Sequence, residues 1–444
     1  LWYIFTVKRR ITTKLLQWKN SSRRQPLLMY GARQVGKTYT IDEFGQNNYE
    51  NIIYVNLEAN LTLAADFNND ISPQHIINCL EIFYRQKIVP GKTLIFFDEV
   101  QSCERALTSL KYFCESAPEY HIIAAGSLLG VALNREKYSF PVGKVDLLHM
   151  YPLDMEEFLW AVGRGPLAEE IRVCYADNKP LPYMLHEAAM VLYKEYLIIG
   201  GMPAVINEYC KNRRLFDASN VQSLIVNTYT ADMAKYATPA ETTKIMAAFQ
   251  SIPAQLAKDN RKFQYKVVQR GGSASIFGAS IDWLCAAGLV IKCNKVEHGK
   301  LPLAVHQNFS SFKLYMGDVG LLTLKSGMSA HNILTTIETN NTFMGAITEN
   351  YVAVQLRVHW NELYYWDSAH TAEIDFIIQD QDKIIPVEVK ASANTKSRSL
   401  SVYKEMYKPA YVIRISAKNF GFENNIKSVP LYAVFCIEGT KALS

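Results

Sequence analysis

Gly31-Ala32-Arg33-Gln34-Val35-Gly36-Lys37-Thr38 decides the fold of the first third of the chain. The pattern, G-x-x-x-x-G-K-T, is that of a phosphate-binding loop, and its flanks agree with it. In front, the apolar run Leu27-Leu28-Met29-Tyr30 reads as a buried strand. Behind, Thr38-Tyr39-Thr40-Ile41-Asp42-Glu43-Phe44 continues as a helix. The glycines let backbone N–H groups turn towards phosphate oxygens, and the helix N-terminus adds positive potential. Lys37 is long enough to reach the β- and γ-phosphates, and the Thr38 hydroxyl can ligate magnesium. Gly31 to Tyr39 is therefore the expected nucleotide-binding segment, with ATP and Mg2+ as its cofactors.

Further apolar runs follow at Ile52–Leu57, Thr93–Phe97, His121–Ala125 and, shorter, Val145–Leu148, with helical segments between them. With the first strand they predict an α/β domain whose mainly parallel sheet is covered by helices on both faces. The run at Leu94 ends in Asp98-Glu99. Asp98, at the carboxyl end of its strand, would hold magnesium directly or through water. Glu99 beside it would act as the general base on the attacking water. By itself an acidic strand-to-helix junction is an ordinary helix start; after a phosphate loop and four apolar residues it is the expected second motif. Ser127, at the end of the strand through Ile122, is a candidate sensor of the γ-phosphate or lytic water, with a simple turn as the alternative. Arg135 and Lys144 are candidate cations acting across a subunit boundary.

Several segments together resemble one prokaryotic AAA-like ATPase family. They are the phosphate loop, Phe97-Asp98-Glu99-Val100-Gln101, Ala125-Gly126-Ser127, Pro141-Val142-Gly143-Lys144 and the stretch from Tyr151 to Leu159. Gly200-Gly201-Met202-Pro203 and the stretch Lys313–Gly320 look like later landmarks of the same family. The resemblance implies an AAA+ P-loop ATPase fused to a C-terminal region of uncharacterised function. Two positions depart from it: Lys144 stands where relatives usually carry arginine, and Ser127 where other AAA+ proteins commonly carry asparagine.

The chain's 444 residues exceed one typical domain, and 49% hydrophobic with 20% charged residues excludes global disorder. Forty-seven basic against 42 acidic residues give a net charge of +5, which permits nucleic acid or an acidic protein as partner without requiring either. The eight cysteines form no C-x-x-C pair or zinc-spaced cluster, so reduced thiols and a cytoplasmic location are expected. No apolar stretch approaches the roughly 20 residues of a membrane span, so no membrane partner is expected. The apolar start Leu1–Phe5 is too short for a signal peptide.

Tyr151 to Tyr196 reads as a helical lid, and Gly200-Gly201-Met202-Pro203 as a strong breaker. Further on, Phe263–Arg270 and Ser273–Ala287 are expected helices. Leu289–Cys293 and Leu301–Val305 are expected to pair as strands about a Glu297-His298-Gly299-Lys300 turn, an order resembling a winged helix. Ser273–Trp283 holds no lysine or arginine, which favours a structural or protein-contacting role over a DNA-groove helix. Arg261, Lys262, Lys266 and Arg270 keep DNA as the other reading.

The end of the chain carries a second constellation. Thr371–Ile378 places Asp375 at the start of a strand, and Ile384–Lys390 is a second strand that presents Glu388 and Lys390 on one face. With Glu349, from the helical Gly345–Arg357, these residues resemble the core of the PD-(D/E)XK nuclease superfamily. The resemblance implies carboxylates that hold magnesium and a lysine that positions the nucleophile. A solvent-exposed Glu-x-Lys pair is the plain alternative. The basic start Thr395–Leu400 suits phosphate contact or solvation equally.

The expected organisation is an ATPase core over 1–150, a helical lid over 151–199, a helical, winged-helix-like domain over 200–335 and a restriction-endonuclease-like α/β domain over 336–444. The expected function is ATP hydrolysis coupled to a protein partner or DNA, with homo-oligomerisation open. An ATP-regulated DNA nuclease and a nucleotide-gated DNA-binding protein without cleavage are the alternatives.

Overall fold

The computed structural model describes residues 8–127, 141, 143–335, 342–368, 372–392 and 398–440. The chain divides into two compact units, one of residues 9–151 with 286–288 and one of the remaining residues.

In the first unit a five-stranded sheet has the order β2-β3-β4-β1-β5, and every pairing is parallel. The strands are β1 Leu27–Gly31, β2 Asn51–Asn56, β3 Thr93–Asp98, β4 His121–Ser127 and β5 Asp146–His149. Helices α1 Ile11–Asn20, α2 Lys37–Asn48, α3 Leu61–Asp66, α4 Pro73–Tyr84 and α5 Glu104–Ser116 accompany it. Every residue of β3 and β4 is buried, whereas the edge strands β2 and β5 are partly open. Interior strands covered on both faces need apolar side chains at consecutive positions, which is why they read as continuous runs. The covering helices bury one stripe each: Pro73, Ile76, Ile77 and Leu80 on α4, and Ala106, Leu107, Leu110 and Phe113 among those on α5.

In the second unit an eight-stranded mixed sheet runs β12-β13-β11-β10-β9-β8-β6-β7. Its strands are β6 Val290–Val296, β7 Gln307–Met316, β8 Leu363–Asp367, β9 Glu373–Asp380, β10 Lys383–Val389, β11 Val412–Ser416, β12 Gly421–Glu423 and β13 Ile426–Pro430. The expected strand at Leu301–Val305 is not one. Pro302 precedes a 3-10 turn over Leu303–His306, and β6 pairs instead with the following segment, β7. On its other edge β6 pairs in parallel with β8. Strands from both sides of residue 335 therefore share one sheet.

The Gly200-Gly201 pair and Asp318 meet inside this unit. The carboxylate of Asp318 accepts the N–H of Gly201 at 2.6 Å and that of Leu321 at 2.9 Å, and so caps the helix Val319–Ser326. Gly200 adopts φ +73°, and a Cβ there would stand 2.2 Å from Asp318 Oδ1. The glycine pair thus leaves space for a fully buried carboxylate as well as ending a helix.

Burial pushes the Asp318 pKa up to about 6, against the pull of its backbone hydrogen bonds. A carboxyl whose folded pKa is raised binds more protons folded than unfolded, so its contribution to stability falls as pH rises from about 4 to about 6. The unfolding free energy of the wild type relative to Asp318→Asn is expected to drop across that window, by up to about 3 kcal/mol, and to be flat outside it. Parallel urea titrations at several pH values check this.

Candidate functional site

The phosphate loop starts where β1 ends. At Gly31, φ is +152° and a Cβ would lie 2.1 Å from the Met150 carbonyl oxygen, so no side chain fits. Gln34 and Gly36 take φ of 66° and 95°, which turns the chain into α2 at Lys37. No side chain caps that helix start, leaving its first N–H groups directed to the loop. Arg9 Nη1 donates to the Val35 carbonyl at 3.0 Å and Nη2 to the Tyr151 carbonyl at 2.7 Å, tying the loop to the end of the first unit.

Lys37 is buried, and its ammonium donates to the carbonyls of Gly31 and Ala32 at 3.0 and 2.9 Å. Burial lowers its pKa to about 8, although Glu99 and Asp98 pull upwards. Asp98, at the end of β3, is also buried. Its Oδ2 accepts from the Thr38 hydroxyl at 2.9 Å and from the Tyr54 hydroxyl at 3.1 Å, while Oδ1 accepts the Glu99 N–H at 3.0 Å. Burial, with the neighbouring Glu99 charge, still raises its pKa. A carboxylate desolvated in this way gains from a cation placed against it.

Glu99 follows with φ 49°, a left-handed backbone that a non-glycine residue adopts at a cost. Its Oε2 accepts from the Gln101 amide at 2.5 Å and the Ser127 hydroxyl at 3.2 Å. Lys37, Thr38, Asp98, Glu99 and Ser127, expected together from sequence, are thus brought together. Tyr39, also expected in the nucleotide segment, is on the first turn of α2 and partly exposed. Sequence reasoning gave no role to Tyr54, Gln101 or Arg9. Tyr54 reaches Asp98 because Asn56 and Asp98 are register partners of β2 and β3, which only the pairing reveals. Gln101 stood inside the quoted motif, two residues past Glu99. Lys144 forms a partly exposed ion pair with Glu115 at 3.2 Å. Arg135 lies outside the described residues.

The C-terminal quartet is differently placed. Asp375 on β9 and Glu388 on β10 lie on adjacent antiparallel strands, and Lys390 just beyond β10. Asp375 Oδ2 accepts the Val389 N–H at 2.8 Å, and Glu388 pairs with Lys390 at 3.3 Å and faces Arg414 at 3.6 Å. Glu349, on the helix Thr342–Arg357, is buried and already neutralised. Oε1 accepts from Lys313 at 2.9 Å and from Tyr315 at 2.5 Å, and Oε2 pairs with Arg261. Lys313 is itself wholly buried and also pairs with Glu373 at 2.5 Å. Oxygens of Glu349, Asp375 and Glu388 do not all come within 4.8 Å of one another; among the described residues the three-ligand grouping on that spacing is Asp66, His75 and Cys79.

Residues 23–159 match the AAA domain family. The five-stranded parallel sheet and its phosphate loop are accordingly those of a P-loop AAA-like ATPase domain. Residues 190–332 and 344–434 match two domains of unknown function, DUF8612 and DUF4143. No curated protein matches the sequence. Among solved structures, the chain is similar to the Walker-type ATPase of Pyrococcus abyssi at 14% identity, over 72% of this chain and 95% of that one, with a TM-score of 0.45. The Aeropyrum pernix ORC2 protein, in ADPNP–ADP complexes, is similar at 12% identity over 76% of this chain and 90% of that one, with a TM-score of 0.38. AMPPCP-bound DnaA from Aquifex aeolicus is similar at 14% identity over 62% and 88%, with a TM-score of 0.28.

Outside the AAA domain, the Lys313–Glu349 pair supports a direct test. Removing Lys313 takes a buried cation from Oε1 of Glu349 and from Glu373, leaving Glu349 with Arg261 and Tyr315 alone, and loss of a buried ion-pair partner costs up to about 3–5 kcal/mol. Lys313→Ala is expected to lower the unfolding free energy by up to that order, read by denaturant titration, while Lys390→Ala, at a one-third exposed position, lowers it far less.

Proposed function

We propose that the chain is an ATP-binding, Mg2+-dependent ATPase whose catalytic centre is the phosphate loop with Asp98, Glu99 and Ser127. The observation that carries this reading is the 2.9 Å hydrogen bond between the Thr38 hydroxyl and the Asp98 carboxylate. It sets a neutral oxygen and a buried anionic oxygen side by side where a phosphate-bound Mg2+ needs ligands. The donor set is all oxygen, as magnesium requires. Thr38 and Asp98 would hold the ion, which would supply charge stabilisation to the phosphate oxygens.

The chain's own groups do the rest. Gly31, Ala32, Arg33, Gln34, Val35 and Gly36 shape the loop so that N–H groups face the phosphates, and Lys37 brings its ammonium to the β- and γ-phosphates. Glu99 takes the proton of the attacking water. Gln101 and Ser127 both bond Oε2 of Glu99, which orients the carboxylate and leaves Oε1 as the acceptor.

The C-terminal sheet reads best as a binding body for a protein partner or DNA. A nuclease needs carboxylates available to a metal, and Glu349 is committed to two cations and a tyrosine. In this reading Asp375→Ala leaves plasmid uncut in magnesium, as the wild type does; nicking by the wild type that Asp375→Ala abolishes would restore the nuclease alternative. ATP hydrolysis measured with and without DNA separates a DNA partner from a protein partner.

Lys37→Ala is expected to abolish nucleotide binding, whereas Glu99→Gln keeps binding and loses turnover by at least about 100-fold. Equilibrium binding of a fluorescent ATP analogue and steady-state phosphate release report the two separately. Because burial lowers the Lys37 pKa to about 8 and a bound phosphate favours its charged form, affinity is expected to fall as pH rises above about 8.

A further inference from the structure

Tyr54 exposes an aromatic ring at the edge of the ATPase sheet. It stands on the outer strand β2 and is 39% exposed, while its register partner on β3, Phe96, is fully buried. The two rings lie side by side with centroids 5.3 Å apart. A phenylalanine would supply the same packing. What tyrosine adds is a hydroxyl, and it donates to Asp98 Oδ2 at 3.1 Å.

That hydroxyl is held in place. Asp98 lies two residues beyond Phe96 and so on the same face of the sheet, within reach of the Tyr54 ring. The Asn56 amide donates to Tyr54 Oη at 3.3 Å, which leaves the phenolic proton for Asp98. Asn56 is itself fixed, because its Oδ1 accepts the N–H groups of Glu58 and Ala59 at 3.0 and 2.8 Å. On the outer side, the Tyr84 hydroxyl donates to the Tyr54 carbonyl at 2.7 Å and secures the strand.

The consequence rests on Thr38 and Asp98 as the magnesium ligands proposed above. Each oxygen of an ionised carboxylate has two lone pairs to offer. Both on Oδ2 are engaged, by Thr38 and Tyr54, and Oδ1 accepts the Glu99 N–H. To grip an ion with both oxygens at once, Asp98 would have to release Tyr54. Magnesium makes no such demand, because it keeps several waters and takes few carboxylate oxygens. Calcium is larger, gathers about six to eight oxygens and readily takes a carboxylate by both. The two ions therefore compete with the tyrosine to different extents.

We propose that Tyr54 is a positioning residue that sets the metal preference of the ATPase site: its hydroxyl keeps Asp98 from chelating an ion with both oxygens, which favours Mg2+ over Ca2+. The test uses the full chain with a non-hydrolysable ATP analogue, protein in excess, and bound Mn2+ followed by electron paramagnetic resonance. Mn2+ is displaced with Mg2+ or with Ca2+, and the ratio of the two midpoints is the readout. Tyr54→Phe keeps the ring and is expected to shift that ratio towards Ca2+ by about fivefold or more. Tyr84→Phe, which loosens the same strand without touching the Tyr54 hydroxyl, is expected to keep the wild-type ratio. An unchanged ratio in Tyr54→Phe, or an equal shift in Tyr84→Phe, would overturn the role of Tyr54 alone. A wild type that binds no Mn2+ with the analogue would sink the assignment of Thr38 and Asp98 as metal ligands, and this inference with it.

Discussion

The hydrogen bond from Thr38 to Asp98 fastens the first turn of α2 to the end of β3, and the ATPase domain is organised around it. Asp98 has little water and keeps its charge through three donors: Thr38, Tyr54 and the N–H of Glu99. Each donor comes from a different part of the domain. Tyr54 comes from the neighbouring strand and Thr38 from the loop, and the Glu99 N–H is presented by a left-handed backbone. A buried anion held in this way is a point of high electrostatic potential at the mouth of the loop. Its three donors offset part of the desolvation that raises its pKa, and they do so only while the surrounding strands hold register.

The second unit makes the opposite use of buried charge. Glu349, Lys313, Glu373 and Arg261 form one network, with Lys262 and Lys295 on Asp367 beside it. Closed pairs of this kind specify how strands and helices seat against one another, because any other seating strands a charge away from water. A network saturated with its own counter-ions has little left with which to hold a metal. The chemical types that resembled a nuclease core are present, and Glu349 among them is paired with Lys313, Arg261 and Tyr315.

The ATPase domain was legible in the sequence for a physical reason: interior strands of a parallel sheet are buried on both faces, and β3 and β4 carry unbroken apolar runs between polar ends. The loop and the Asp98-Glu99 pair are contiguous motifs, so their residue types carry their geometry. What stayed hidden depends on pairing across distance. Arg261 and Lys313 are 88 and 36 positions from Glu349, and no local pattern announces that they meet it. Leu301–Val305 was apolar enough to pass for a strand, yet the ladder of β6 is completed by the more polar Gln307–Met316. His75 and Cys79 show helical spacing, but their third companion, Asp66, joins them from a separate helix, and no cysteine-counting pattern contains it.

The mixed sheet also constrains how the protein can be made. β6 has β7 on one side and β8 on the other, and β8 is synthesised only after the helix Thr342–Arg357. Until then β6 and β7 form a hairpin with an open edge, a unit of marginal stability in water. A chain that stopped at Thr335 would keep that edge permanently uncovered. The boundary expected at residue 335 is therefore a poor place to divide the polypeptide, because strands from both sides of it share one sheet.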